Sequence, residues 1–238
     1  MTSRPILFRG EMVRAILDGR KSQTRRAVKY IPALGEPEDW CQQAHTASFA
    51  RVVGDYRNFC PHGTAGDQLW VRENVWEAGR WHQTHPEDDE WKKWGGSGRL
   101  HFASDGNPPN EPNCDYPQGL REGCGSYSAA EPSRIWRHWP SIHMRQKWSR
   151  ITLQVTDVRV ERLNAISAED AIAEGIRVEK GAGMIEGEDC YMMTTNSGYM
   201  RGKAGAIAAY KNLWESINGA GSWALTPWVW VVAFKRIE

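Results

Sequence analysis

Apolar residues recur along the chain with two different periods, and these set out most of its elements. Pro5 to Phe8 is a short apolar run that predicts a strand. From Gly10 onward Met12, Val13, Ile16 and Leu17 recur at helical spacing and leave Arg14 and Asp18 outside, with Gly19 placed as a helix C-cap. Arg20 to Gln23 reads as a tight polar loop, and Thr24 to Tyr30 as the next strand. Residues 31 to 66 mix prolines and glycines and predict loop with little regular structure. Gln68 to Trp76 alternates: Leu69, Val71 and Glu73 share one face, Trp70, Arg72 and Asn74 the other. Ile151 to Leu163 alternates too, but its phase shifts at Asp157, which predicts a bulge or bend of the kind a closed barrel uses. Ser167 to Glu174 reads as a helix with Ser167 and Asp170 spaced as a capping box, and Gly175 ends it. Ala204 to Ile217 is a second good helix. Leu225 to Arg236 is a last strand, apolar on both faces around Trp228 to Phe234, and is expected to be central.

Five or six strands and three helices in mixed order, joined by long irregular connections, predict an α+β barrel rather than a doubly wound sheet. A single domain spanning 1–238 is expected, with insertions at about 78–133 and 177–203. The first insertion reads as surface loop with one short strand near Leu100 to Ala103, the second as a Gly- and Met-rich loop. Trp136 to Trp148 is irregular, basic and aromatic.

Of the 238 residues, 25% are charged, and no apolar run approaches the ~18 a membrane helix needs. The start of the chain lacks the charged-then-apolar pattern of a signal peptide, so a cytoplasmic protein is expected. The net charge is only +1, but it is unevenly spread. Met1 to Lys29 holds eight Lys/Arg against Glu11 and Asp18, and Arg134 to Arg150 holds five Lys/Arg and no acid. Two local basic patches fit a phosphate-bearing partner. The five cysteines form no CxxC, and Cys114, Cys124, His138 and His143 match no common zinc spacing. Free buried thiols, no metal and no cofactor are expected. Of the thirteen tryptophans, Trp136, Trp139 and Trp148 lie within the second basic patch, where rings among cations can stack bases.

The segment Gly19 to Arg26 stands out chemically. A lysine near other cations or in an apolar pocket has a lowered pKa and can act as a base. Lys21 and Thr24 share one tight loop, and a threonine hydroxyl is inert as a nucleophile unless a base sits beside it. Glu73, inward on a strand, has the placement of a carboxyl with a raised pKa, which suits an acid. The simpler alternative is a solvated basic loop, with Glu73 paired to an arginine.

The pattern Gly19-x-Lys21-x-x-Thr24-x-Arg26 resembles the signature loop of ASCH domains (activating-signal-cointegrator homology), which have a PUA-like β-barrel fold and are associated with RNA or modified-base binding. Many members carry Glu where this chain has Thr24. The small bacterial amidohydrolases of that superfamily, which deacetylate N4-acetylcytidine, use Lys and Thr in this loop and a Glu on a following strand. Lys21, Thr24 and Glu73 match those positions. Pro5 to Arg26, Cys60-Pro-His-Gly63, Gly66 to Glu73, Pro140 to Met144 and Trp148 to Ile151 are similar to phage and prophage proteins of unassigned role, as are Ala171-x-x-Glu174-Gly175 and Trp228 to Val231.

The resemblance implies a cleft beside the signature loop with the Pro140 to Arg150 patch at its rim. Arg20, Arg25, Arg26, Arg145 and Arg150 would then hold phosphates, Trp148 or Trp139 would stack a base, and His143 would lie on the rim. It implies a hydrolase acting on a modified cytosine nucleoside or base, with Lys21 as base, Thr24 as nucleophile and Glu73 as acid. The alternatives are a non-catalytic module binding RNA or modified DNA, a ribonuclease, and a phage assembly protein with a vestigial site. The oligomeric state is not encoded in these patterns.

Overall fold

Met12, Val13, Ala15 and Ile16 are buried along helix α1 (Gly10–Leu17), the stripe that helical spacing predicts. Gly19 closes the helix with φ +73°, a conformation that costs glycine no Cβ clash. The computed structural model describes residues 2–83, 92–109, 135–179, 190–192 and 200–237. These fall into two compact units, Met1–Ile6 with Arg14–Trp70 and Ile151–Glu238, and Leu7–Val13 with Val71–Arg150. The protein is of mixed α+β class.

A five-stranded sheet organises the first unit. Its strands are β1 (Ser3–Leu7), β2 (Gln23–Ala27), β3 (Gln68–Arg72), β7 (Thr152–Arg162) and β11 (Trp228–Arg236), in the order β1-β3-β7-β11-β2. β11 lies between β7 and β2, antiparallel to both. Val229, Trp230, Val231 and Val232 are all buried, as a central strand covered on both faces requires. Phe234 pairs with Val155 while Ala233 pairs with Asp157, so Thr156 is the extra residue of a bulge, beside the expected phase shift. The Trp230 ring sits 5.7 Å from Trp40 and 6.2 Å from Tyr56 and anchors the core of this unit. Helix α4 (Ala168–Ala173) starts at Ser167, whose side chain accepts from Asp170 N. It packs against α5 (Gly202–Asn218).

In the second unit β4 (Val75–Gln83) lies between β5 (Lys92–Phe102) and β6 (Trp136–Trp139), antiparallel to both. Val75, Met144 and Trp148 form a core on one face with Leu100, Phe102 and Trp139 packed against it; Ile135 and Trp136 pack with Trp76 and Ala78 in a second cluster.

The structure departs from the sequence expectations in five places, one being that Trp136–Trp139, read as irregular, is strand β6. Residues 31 to 66 are not featureless: they hold α2 (Pro37–Trp40), α3 (Ala47–Val53) and a tight turn at Tyr56–Phe59. Pro37 at the first helical position and the Thr46 hydroxyl, which accepts from Phe49 N, start the two helices. The expected strand from Gln68 to Trp76 breaks at Glu73 and Asn74. There the Glu73 N–H meets Met144 Sδ at 3.2 Å, and the Asn74 side-chain oxygen accepts from Ser141 N at 2.8 Å. The start of the first insertion is a hairpin of β4 and β5 rather than surface loop, although residues 110–134 lie outside the described residues. The second insertion contributes β8 (Arg177–Glu179), β9 (Cys190–Met192) and β10 (Met200–Arg201) as a small sheet; residues 180–189 and 193–199 lie outside the description. Among the described residues the three sheets are separate and none closes on itself. No helix among them is long and apolar enough to cross a membrane.

Candidate functional site

The loop after α1 is pinned by backbone hydrogen bonds before any side chain acts. Arg20 N and Lys21 N both donate to Ala15 O, at 2.9 and 3.0 Å. Ser22 N donates to Ala173 O at 2.9 Å, and Ser22 O accepts from Phe234 N at 2.8 Å. Lys21 also bridges to Glu174 as an isolated antiparallel pair. The loop is therefore clamped between the end of α4 and strand β11. Gly175, with φ +101°, allows this approach. A Cβ on it would lie 3.0 Å from the Ala15 Cβ and 3.2 Å from the Lys21 Cβ.

This clamp buries Lys21, which is 4% exposed. Its Nζ donates to Gln23 O at 2.8 Å, Glu174 O at 2.9 Å and Glu174 Oε2 at 2.7 Å. Burial pulls its pKa below the ordinary lysine value. The Glu174 carboxylate opposes this, Arg26 and Arg25 add to it, and the net shift is downward. Three residues on, Thr24 is also 4% exposed. It pairs with Val232 in the β2–β11 ladder. Strand alternation turns it to the face opposite Gln23 and Arg25. Among the described residues its hydroxyl has no hydrogen-bond partner.

Around Lys21 the first unit holds an alternating charge network that the sequence did not announce. Arg25 is fully buried, with Nη2 2.7 Å from Asp170 and 3.3 Å from Glu161, and Nη1 3.4 Å from Glu174. Arg159 Nη2 joins Asp170 at 3.0 Å. Burial works to raise the Asp170 carboxyl, but the Arg25 hydrogen bond and the charges of Arg25 and Arg159 outweigh it and hold it below the usual range. Burial, and next the charge of Glu174, push the Tyr210 phenol well above its usual value. Burial also lowers the half-buried Arg26. His62 is depressed to about 4, first by burial and then by Arg26 and Arg4. Arg20 donates to Asp18 at 2.8 Å and to Gly175 O at 2.9 Å.

Glu73 belongs to the second unit. Its carboxylate is buried and takes Arg150 Nε at 2.9 Å and Nη2 at 3.3 Å, with the Ser104 hydroxyl as a further donor. Arg150 also spans to Asp105 at 2.7 and 2.8 Å and lies 3.9 Å from the Phe102 ring centroid. Burial draws the Arg150 pKa down, but Asp105 and Glu73 more than offset this and raise it. The structure thus brings Lys21 and Thr24 into one buried segment. The partners it gives Glu73 are Ser104 and Arg150, the ion pair that the simpler reading of the sequence expected.

The remaining expected ligand-binding residues differ in availability. Arg25 spends its guanidinium on three carboxylates and is closed off from solvent, and Arg150 is engaged by two carboxylates. Trp148 is a core ring, packed with Val75 and Met144, which removes its faces from a base. His143 and Arg145 are exposed. Sequence reasoning missed Glu174, Asp170 and Tyr210. The Glu174-Gly175 pair at the end of a helix was a visible signal, but nothing local linked it to a lysine 153 residues away.

Cys41, Cys60 and Cys190 are buried free thiols. Burial pushes Cys41 up to about 12 and Cys60 up to about 11, which leaves both unreactive. Cys114 and Cys124 lie outside the described residues, and among the described residues no three His, Cys, Asp or Glu side chains gather as metal ligands. No family model, curated protein or solved structure matches the chain.

Proposed function

We propose that the chain is an ASCH-type protein of PUA-like fold, and that it hydrolyses the acyl amide of a modified cytosine nucleoside or base. The observation that carries this reading is the placement of a buried lysine of lowered pKa and a buried threonine three residues apart in one clamped segment. The Lys21 amine, once neutral, takes the Thr24 proton. The Thr24 oxygen then attacks the acyl carbon, the bond from that carbon to the exocyclic nitrogen breaks, and that nitrogen leaves with a proton. Water then adds to the threonyl ester, freeing the carboxylic acid and restoring the hydroxyl. The resemblance gives the acid's role to Glu73, whose carboxylate is held by Arg150 and Ser104 within the second unit.

The test is incubation of the purified protein with N4-acetylcytidine and chromatography of the products. Cytidine and acetate are expected from the wild type. Thr24→Ala and Lys21→Met are expected to abolish release. Full turnover by Thr24→Ala would overturn the reading.

A further inference from the structure

Two cations share one buried carboxylate beside the proposed nucleophile. Glu174 Oε2 takes Lys21 Nζ at 2.7 Å, and its other oxygen, Oε1, takes Arg25 Nη1 at 3.4 Å. Lys21 comes from the clamped loop and Arg25 from β2. The Arg25 side chain is closed to solvent, and the Glu174 side chain nearly so. On its far side the Arg25 fork is held by Asp170 at 2.7 Å and Glu161 at 3.3 Å. Arg159, on β7, pairs with these two carboxylates again. The result is a chain of alternating charge: Arg159, then Asp170 and Glu161, then Arg25, then Glu174, then Lys21. Two further groups face Glu174. The Tyr210 phenol donates to it from α5, and the half-buried Arg26 adds positive charge from β2.

We propose that Arg25 is a positioning residue for the Lys21 base: it holds the second oxygen of Glu174, takes up part of that carboxylate's charge, and so lets the Lys21 ammonium release its proton to water before the acyl group is attacked. This rests on the reading of Lys21 as the base of the hydrolysis. A buried ammonium with a carboxylate to itself keeps its proton, because at low dielectric their attraction is far stronger than in water. Nζ has three acceptors here, Gln23 O, Glu174 O and Glu174 Oε2, which match the three N–H groups of an ammonium. Alone with Glu174, Lys21 would be held in that form. With Arg25 on the same carboxylate, one negative charge is divided between two positive ones. A guanidinium does not give up its proton in a protein, whereas a buried lysine does so readily. Deprotonation therefore falls on Lys21. Asp170 and Glu161 set how much of the Arg25 charge reaches Glu174, since they neutralise the same guanidinium from its far side.

Carbon-13 NMR of the full chain, labelled at the lysine ε-carbons, follows the titration of Lys21 without substrate; its signal is the one missing from Lys21→Met. In Arg25→Gln this titration, and with it the rising limb of kcat/KM for N4-acetylcytidine, is expected to move up by about one pH unit. Arg159 still pairs with Asp170 and Glu161 in that variant, which supports its folding, and a thermal melt checks this. In Asp170→Asn the Arg25 charge bears more fully on Glu174, and both readouts are expected to move down. Shifts of opposite sign are not what a merely structural role produces. A Lys21 titration that does not rise in Arg25→Gln overturns the proposal. Should that variant not fold, Asp170→Asn decides alone, and a Lys21 titration that stays or moves up there overturns it. Cytidine release with the Lys21 titration unmoved defeats this inference alone. The opposed shifts without cytidine release defeat only the hydrolytic reading.

Discussion

At the residue scale, the protonation of Lys21 is set by two opposed effects: removal from water disfavours the ammonium, and Glu174 favours it. Replacing Glu174 with Gln removes the favouring charge and leaves burial, Arg26 and Arg25 in place, so the Lys21 pKa falls further. The rising limb of kcat/KM against pH, which reports the free base, is therefore expected to move to lower pH in Glu174→Gln. A limb that stays or moves up contradicts the assignment of Lys21 as the base. His62 supplies a separate test. Its folded pKa of about 4 lies below the unfolded value of 6.5, so the unfolded chain binds a proton first as pH falls. The stability it confers is complete above pH 6.5 and is lost progressively down to about pH 4, by at most roughly 3 kcal/mol. Denaturant melts across that window are expected to be flatter for His62→Asn than for the wild type. Lys21 and Thr24 could be picked out of the sequence because they are close in it and their chemistry is scarce. Glu174 could not, because only tertiary folding returns the end of α4 to the loop.

At the scale of elements, the joint between α4 and the loop depends on one residue without a side chain. Gly175→Ala would place a Cβ at 3.0 Å from Ala15 while holding a positive φ, so a loss of about 1–3 kcal/mol is expected, read as a lower melting temperature. An unchanged melt would mean that the loop is not clamped there. Removing the α4 cap by Ser167→Ala is expected to cost about 1 kcal/mol by the same measurement. Strand β7 and the bulge at Thr156 were legible from an alternation whose phase shifts, and β11 from an unbroken apolar run of strand length. The helices at Pro37–Trp40 and Ala47–Val53 were not, since four and seven residues are too few to show a period and the second buries none of its side chains. The β4–β5 hairpin was hidden by its glycines. The Gly95-Gly96 pair suggests loop, but Gly96 is there because the Glu77 carboxylate occupies the space of a side chain.

For the molecule as a whole, the mixed α+β class followed from the order of the periodic segments. Its division into two units did not, because the second unit takes Leu7–Val13 from one part of the chain and Val71–Arg150 from another. Neither stretch signals the other in sequence. The central claim concerns the first unit: that a buried lysine makes the neighbouring threonine oxygen a nucleophile. Trapping the protein with N4-acetylcytidine by an acid quench, then mapping its peptides by mass spectrometry, tests this most directly. The account predicts the added mass of one acetyl group on the peptide containing Thr24, and none in Lys21→Met. Acetyl found on a different residue, or cytidine released with Thr24 never modified, would contradict it.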